Sequence, residues 1–449
     1  MSKTAYQTAP LKTERMPPGI PYIVGNEGAE RFSYYGMRSI LVIFMTQYLL
    51  NQQGQPDQLG EEQAKYWYHL FIGAVYFFPL FGAILAEAFL GKYRTIMSLS
   101  VVYCLGHLAL AIDNTRMGLA VGLTLIAIGS GGIKPCVAAN VGDQFGATNR
   151  HLIPKVFGWF YFAINFGSMI STLLIPWLLN RFGPHVAFGT PGVFMFVATW
   201  IFWLGRKKFV HIPPGGMAFV RETFSLEGLK SVGKLAVIYL FVAVFWSLYD
   251  QTSSAWVLQA RSMDLRFMGI DWLPAQIHAV NPILILIMIP LFTYAIYPAI
   301  NRVFPLTPLR KITIGFFLAA LSFLIPAWIE AAIAGGGRPN IVWQLLAYVV
   351  ITAAEVFVSI TCLEFSYTQA PKKMKSLVMS IYNLSVFVGN LFTSIVNKLI
   401  QNPDGTVRLT GADYYLFFAG VMFAASVLFI VVAYTYRERT YIQDEAAAT

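Results

Sequence analysis

Charge is scarce in this chain. Only 12% of its 449 residues are Asp, Glu, Lys or Arg, while 57% are hydrophobic and the mean hydropathy is +0.59. An average soluble chain is about one quarter charged, so about half the usual charge is missing. A water-soluble globule of this length would expose large apolar patches. That excludes an ordinary soluble enzyme, a disordered protein and a nucleic-acid reader. Cysteine is scarcer still. Cys104, Cys136 and Cys362 are scattered through apolar stretches, an odd set that argues against a disulfide framework and has no metal-ligand spacing. HExxH, GxSxG, Walker A and clustered His/Cys motifs are missing too, which argues against a membrane-embedded enzyme and an ATP-driven pump. The polar stretch through about Pro21 lacks a basic leader, apolar core and cleavage site. No signal peptide is read, and the first apolar span is expected to serve for insertion.

Long apolar runs are what the chain has in abundance. A hydrocarbon core of about 30 Å needs about 20 apolar helical residues. That ruler predicts twelve spans, at 22–50, 66–88, 95–113, 117–139, 154–178, 187–205, 233–258, 277–300, 311–333, 340–367, 374–400 and 411–436. The third and fourth are separated only by the polar turn Asp113-Asn114-Thr115-Arg116. Basic residues between spans set the orientation. One set of loops, including Lys92, Arg94, the 206–232 loop, Lys372, Lys373, Lys375, Arg437 and Arg439, carries roughly threefold more Lys and Arg than the other. That set is expected to be cytoplasmic, with both termini inside, so the net charge of +10 needs no nucleic acid. The expected organisation is a tail over 1–21, a bundle over 22–205, a linker over 206–232 containing Pro213-Pro214-Gly215-Gly216, a bundle over 233–436 and a tail over 437–449. Six spans either side of a long middle loop resemble major-facilitator architecture, an all-α membrane fold with two six-helix bundles around a central cavity.

A charge at membrane depth costs several kcal/mol and usually faces a bundle interior or aqueous cavity. Few remain there: Glu27, Glu30, Arg31 and Arg38 in span 1, Lys134 in span 4, Asp250 in span 7, and Glu355 and Glu364 in span 10. Spans 1 and 7 are counterparts in the two halves, as are 4 and 10, and each counterpart pair carries opposite charges. Arg38 with Asp250 and Lys134 with Glu355 would form two alternating gates. The alternative is that each charge pairs within its own bundle for packing. Breaking a buried pair is expensive, which suits a switch. Glu27 shares a helix face with Glu30 at i+3 and with Arg31 at i+4. Burial and repulsion favour a protonated carboxyl there, and the cations an ionised one. His69 is a further proton candidate, although taken alone a span-end histidine is more often interfacial or structural.

The run Glu27-Gly28-Ala29-Glu30-Arg31-Phe32-Ser33-Tyr34-Tyr35-Gly36 resembles the ExxERFxYY signature of proton-dependent oligopeptide transporters. Phe160 to Gly167 is similar to that family's FYxxINxG signature, and Gly129-Ser130-Gly131-Gly132-Ile133-Lys134-Pro135 to its lysine-bearing fourth helix. Gly82 to Arg94 resembles the major-facilitator loop between helices 2 and 3, with Glu87 where Asp is usual. Phe245-Trp246 to Gln251, Asn281-Pro282 and Leu363 to Tyr367 before Ala370-Pro371 also match, so the resemblance covers about residues 20–436. The 206–232 loop is too short for the two extra helices of many bacterial members. The large domain between helices 9 and 10 of animal intestinal members has no counterpart, since only about Ala334 to Asn340 lies there.

The resemblance implies import of di- and tripeptides with the proton as coupling ion and no other cofactor. It implies that Glu27, Glu30, Arg31 and His69 serve proton coupling, and the intramembrane charges Lys134 and Asp250 are counted with them. Arg38 and Lys134 would assist with the peptide carboxylate, and Glu355, Asn165 and Asn281 would hold its amino terminus. Tyr34, Tyr35, Tyr76, Tyr161, Trp246 and Trp256 would line the cavity, with packing the competing role for each aromatic residue. The glycines of 129–132 have a packing reading as well, permitting close helix approach. The expected setting is the bilayer of a plasma membrane, the inner one in a bacterium, with the protein working as a monomer. Nitrate, an amino acid or a peptide-like drug is the rival cargo, and a channel the rival mode. Glu355 favours a cargo with an amino group over a simple anion.

Overall fold

Several helices begin at a proline or a capping threonine. Thr115 caps one helix, its side chain accepting from Gly118 N at 3.4 Å, and Thr307 caps another from Arg310 N ahead of Pro308. Pro184 opens a third directly after Gly183. The computed structural model describes residues 6–10, 12–217, 221, 226–369, 375–402 and 406–436. Lys372, Lys373, Ala370-Pro371, Arg437, Arg439 and the 437–449 tail lie outside the described residues.

Twelve helical rods are present among the described residues. They are α1 (Ile20–Gln47), α2 (Glu61–Ile84, continued by a π-helical turn over Leu85–Leu90), α3 (Lys92–Ile112), α4 (Arg116–Asp143), α5 (Ile153–Phe182) and α6 (Pro184–Leu204). There follow α7 (Leu226–Tyr249, then a 3-10 turn over Asp250–Ser253 and a helical segment Ala255–Ala260) and α8 (3-10 Pro274–Ala279, then Val280–Leu291, a π turn Phe292–Ile296 and Tyr297–Val303). The last four are α9 (Pro308–Ala334), α10 (Val342–Glu355, a π turn Val356–Ile360 and Thr361–Gln369), α11 (Lys375–Leu399) and α12 (Ala412–Thr435).

Ten of these are long and apolar enough to cross a membrane. The two others, α1 and α11, are long enough but more polar. Polar side chains along the middle of both helices are taken up inside protein: Glu27, Glu30 and Arg38 on α1 and Asn390, Thr393, Ser394 and Asn397 on α11 are all buried. A polar helix is tolerated in a bilayer under that condition. The molecule is an all-α membrane protein with the major-facilitator fold.

Contacts divide the chain into two units. One comprises Met1–Val220 with Trp272–Ile283, the other Arg221–Asp271 with Leu284–Thr449. In the first, α1 packs on α5 and α6, α3 on α4 and α6, and α2 on α4. The opening of α8 joins this unit, with Gln276 Nε2 donating to Leu173 O at 2.7 Å. In the second, α9 packs on α12 and α10, and α7 on α11. A short hairpin there pairs β1 (Arg266–Phe267) with β2 (Ile270–Asp271). Both of its turn residues have positive φ, Met268 at 52° and Gly269 at 79°, the backbone a two-residue hairpin turn favours. Just before it, the half-buried Asp264 carboxylate accepts from Arg266 N and Asn340 Nδ2. Those bonds hold it below the ordinary carboxyl value.

Glycine sets the tightest crossings. A Cβ on Gly82 of α2 would collide with the Gly132 carbonyl of α4, and one on Gly131 would lie 2.6 Å from Val75 O. A Cβ on Gly167 of α5 would lie 2.6 Å from Gly28 O of α1. Gly131 and Gly132 thus carry the close-approach role, the geometry small residues permit between membrane helices.

Candidate functional site

The ExxER segment forms a three-member ion network on one face of α1. Arg31 Nε lies 2.6 Å from Glu27 Oε1 and 3.2 Å from Glu30 Oε2, and both carboxylates are 2% exposed. Helical spacing of three and four residues makes this possible. One guanidinium serves two acids. Lys134 of α4 supplies the second cation, within electrostatic reach of Glu27. Its ammonium sits 4.0 Å from the Tyr76 ring centre and 4.8 Å from that of Tyr34, a cation–π arrangement. The glycine crossing explains the meeting: Gly131 and Gly132 bring α4 onto α2 beside Val75 and Gly82, delivering Lys134 to Tyr76. Ser130 adds a hydroxyl donor at 3.4 Å from Glu30 Oε1.

Two turns along α1, about 10 Å away, lies a second cluster. Arg38, 5% exposed, donates from Nε to the Tyr68 hydroxyl at 2.6 Å. Tyr68 meets His69 edge-on at 5.1 Å, and His69 is fully buried. His278, from the opening of α8, is within electrostatic reach of Arg38, and Asn281 on the same segment is also buried. Tyr35 packs on Tyr34 at 5.3 Å. On α5, Asn165 is buried and bonds the Tyr161 carbonyl at 2.9 Å, while the Tyr161 side chain is exposed.

In the second unit, Asp250 begins the 3-10 turn that interrupts α7, and its Oδ2 accepts from Asn390 Nδ2 at 2.6 Å. Trp246 lies one turn earlier against Phe245 and Tyr249. Glu355 is partly buried and ends the first segment of α10, at the step into its π turn. Such turns recur at functional positions. Trp256 is fully buried against Phe323 and Tyr348, which makes it a core residue rather than part of a cavity wall.

The structure therefore assembles Glu27, Glu30, Arg31, Lys134, Tyr34 and Tyr76 in one group and Arg38 and His69 around Tyr68 in another. Asp250, Trp246 and Glu355 belong to the other unit. Tyr68, Ser130, His278 and Asn390 are partners that sequence reasoning misses. Tyr68 can be suspected from its neighbour His69, and His278 as an ionisable residue within an apolar run. Near the end of α2, Lys92 bridges Glu87 at 3.2 Å and Asp143 at 2.8 Å, so Glu87 makes an ion pair of its own. Among the described residues no group of three or more His, Cys, Asp or Glu could hold a metal.

Known proteins share this arrangement of helices. The sequence model of the POT family (PTR2) matches residues 93–226 and 217–415. Peptide transporter family 1 of Drosophila melanogaster is 39% identical over 361 residues, 70% of this chain and 48% of that protein. Solute carrier family 15 member 2 of Danio rerio is 36% identical over 364 residues, 70% of this chain and 50% of that protein. The chain thus spans about half the length of the curated relatives it matches. Among solved structures, an auto inhibited POT family peptide transporter superposes with a TM-score of 0.86 at 35% identity, covering 96% of this chain and 99% of that one. The POT family transporter PepTSo gives 0.85 at 37% identity, covering 94% and 98%. A mutant of the peptide transporter POT in complex with alafosfalin gives 0.79 at 25% identity, covering 95% and 96%.

Proposed function

This chain belongs to the POT family, and from that premise we propose that it is a proton-coupled symporter importing di- and tripeptides by alternating access. One observation carries the reading: two buried carboxylates share the Arg31 guanidinium while Lys134 waits over Tyr34 and Tyr76. A network with two acids and two cations is balanced, and one arriving proton unbalances it. The released cation is then free to meet a new anion, either a peptide carboxylate or an acid of the opposite half. Buried ion pairs contribute little net stability but are expensive to leave half-made, which is the energetic character a switch needs.

In the mechanism, the inward proton binds the Glu27/Glu30 pair with the outer side open. Lys134 and Arg38 take the peptide carboxylate, and Glu355, Asn165 and Asn281 the amino terminus. Tyr34, Tyr35, Tyr76, Tyr161 and Trp246 accept varied side chains through apolar contact. Arg38 with Asp250 and Lys134 with Glu355 close in alternation between halves 22–205 and 233–436, with His69 assisting proton entry. A proton moving inward gains about 1.4 kcal/mol per pH unit and about 2.3 kcal/mol per 100 mV. The proton is the only cofactor in this reading and the protein is not an enzyme. It acts as a monomer in a plasma or bacterial inner membrane, both termini cytoplasmic, and peptide-like drugs are further substrates, a reading supported by the alafosfalin complex of the related protein.

Uptake of labelled dialanine into proteoliposomes tests the proposal, with accumulation expected only when an inward proton gradient is imposed. Functional vesicles that equilibrate the peptide but never concentrate it would sink the symport mechanism. Glu355→Gln is expected to weaken binding of peptides with a free amino end about tenfold, the loss of roughly 1.4 kcal/mol from one charge-assisted hydrogen bond. Competition by N-acetylated and free dipeptides measures it; an equal loss for both would remove Glu355 from that role.

A further inference from the structure

Ser100, Tyr103 and His107 fall on one face of α3, at spacings of three and four residues. Each is at most 1% exposed; Ser100 Oγ and His107 Nδ1 have no protein hydrogen-bond partner, and the Tyr103 hydroxyl has only Ser130 within interaction reach. Such an atom costs about 1–3 kcal/mol when left unsatisfied. Folded proteins meet buried orphans with internal water where the surroundings are polar.

These surroundings are polar and lead to the charged network. His107 Nε2 is 2.7 Å from Ser33 Oγ on α1, and its ring stacks on Tyr103 at 5.0 Å. Tyr103 is within interaction reach of Ser130 and within electrostatic reach of Glu30, Arg31 and Tyr34. Ser130 in turn donates to Glu30 Oε1. Gly129 secures the approach of α4, since a Cβ there would lie 2.6 Å from Tyr103 Cβ. The titratable or charged groups around this line are Glu27, Glu30, Arg31 and Tyr34 from α1, Lys134 from α4 beyond Tyr34, and Tyr103 itself. From α6, Gly192 meets the histidine.

We propose that Ser100, Tyr103, His107, Ser33 and Ser130 hold internal water in a branch ending on Glu30, and that His107 is a positioning residue for that carboxyl. The proposal rests on the proton-coupling reading of Glu27 and Glu30. A neutral imidazole has one donor and one acceptor nitrogen. With Nε2 committed to Ser33, Nδ1 orients a water toward Tyr103 and fixes the sense of the hydrogen bonds that reach Ser130 and Glu30. The branch delivers a donor to the carboxylate, and its loss leaves the ionised form less supported.

His107→Leu removes both nitrogens, whereas His107→Gln keeps a donor and an acceptor. In proteoliposomes, His107→Leu is expected to raise the pH of half-maximal proton-driven uptake by roughly half a unit, and Gln to restore most of that shift. Infrared titration of the buried carboxyl in detergent should move in the same direction, with no transport required. Should the Leu variant fail to fold, Ser33→Ala removes the Nε2 partner and is expected to shift both readings the same way. Unshifted profiles in the variant that folds, or a Gln variant displaced as far as Leu, would overturn the proposal. Absence of driven uptake by the unsubstituted protein would overturn the symport reading alone, leaving the infrared titration to decide this inference.

Discussion

Replacing Glu27 by Gln abolishes proton-driven accumulation of peptide while exchange of peptide across the membrane continues. The expectation follows from how little else the substitution changes. The amide oxygen of Gln can still accept from Arg31 Nε, now 2.6 Å from the carboxylate, so the packing of α1 on α5 is kept. What disappears is a charge and a proton site. Arg31 then has one anionic partner, Glu30 at 3.2 Å. With Lys134 as the second cation, the network stands permanently in the charge state that a bound proton would otherwise give, so no proton is needed to switch it. Each pH unit of gradient supports about tenfold accumulation per coupled proton, or about 1.4 kcal/mol. The variant should therefore lose about two orders of magnitude of accumulation under a two-unit gradient and stop at equilibration. Counterflow, in which labelled peptide exchanges for unlabelled peptide inside, reads the binding and gating steps without the gradient. Uptake by the variant that still follows the imposed pH difference would take Glu27 out of the proton route.

The trio of Glu27, Glu30 and Arg31 is legible in the amino-acid sequence, because i, i+3 and i+4 spacing is a local property of a helix. The same is true of the apolar rods and of the charge counted at depth. Other features depend on which helices meet, and no periodicity reports that. In the sequence Lys134 reads as the one charge of its span, paired with Glu355 only because their spans are counterparts. Its seat over Tyr34 and Tyr76 requires α1, α2 and α4 to converge. Tyr68 lies thirty residues from Arg38, on another helix. The 3-10 turn at Asp250 and the π turn after Glu355 arise from local departures in helical hydrogen bonding that propensity cannot see. His107 escapes notice for a different reason: a count of formally charged side chains skips a histidine, although an intramembrane ionisable group is a functional candidate by default.

Gly82→Ala is expected to cost about 3 kcal/mol of stability and to weaken peptide binding with it. The added methyl has nowhere to go, because the atom it would strike is the backbone carbonyl of Gly132. A flexible side chain could turn aside, whereas a carbonyl held in the α4 hydrogen-bond ladder cannot, so the whole α2–α4 crossing must open. Lys134 lies two residues beyond that contact and Tyr76 six residues before Gly82 on the facing helix. Opening the crossing therefore separates the cation from its ring, and the damage reaches the network of Glu27, Glu30 and Arg31 through packing alone. Gly142→Ala on the same α4 helix is the control. No atom lies within 4 Å of a Cβ there, and Ala exceeds Gly in helix propensity by up to about 1 kcal/mol. Thermal unfolding of both variants in detergent separates the two effects. Gly82→Ala should unfold several degrees lower while Gly142→Ala stays level or rises, and equal midpoints would show that the crossing tolerates a methyl and does not hold Lys134 in register.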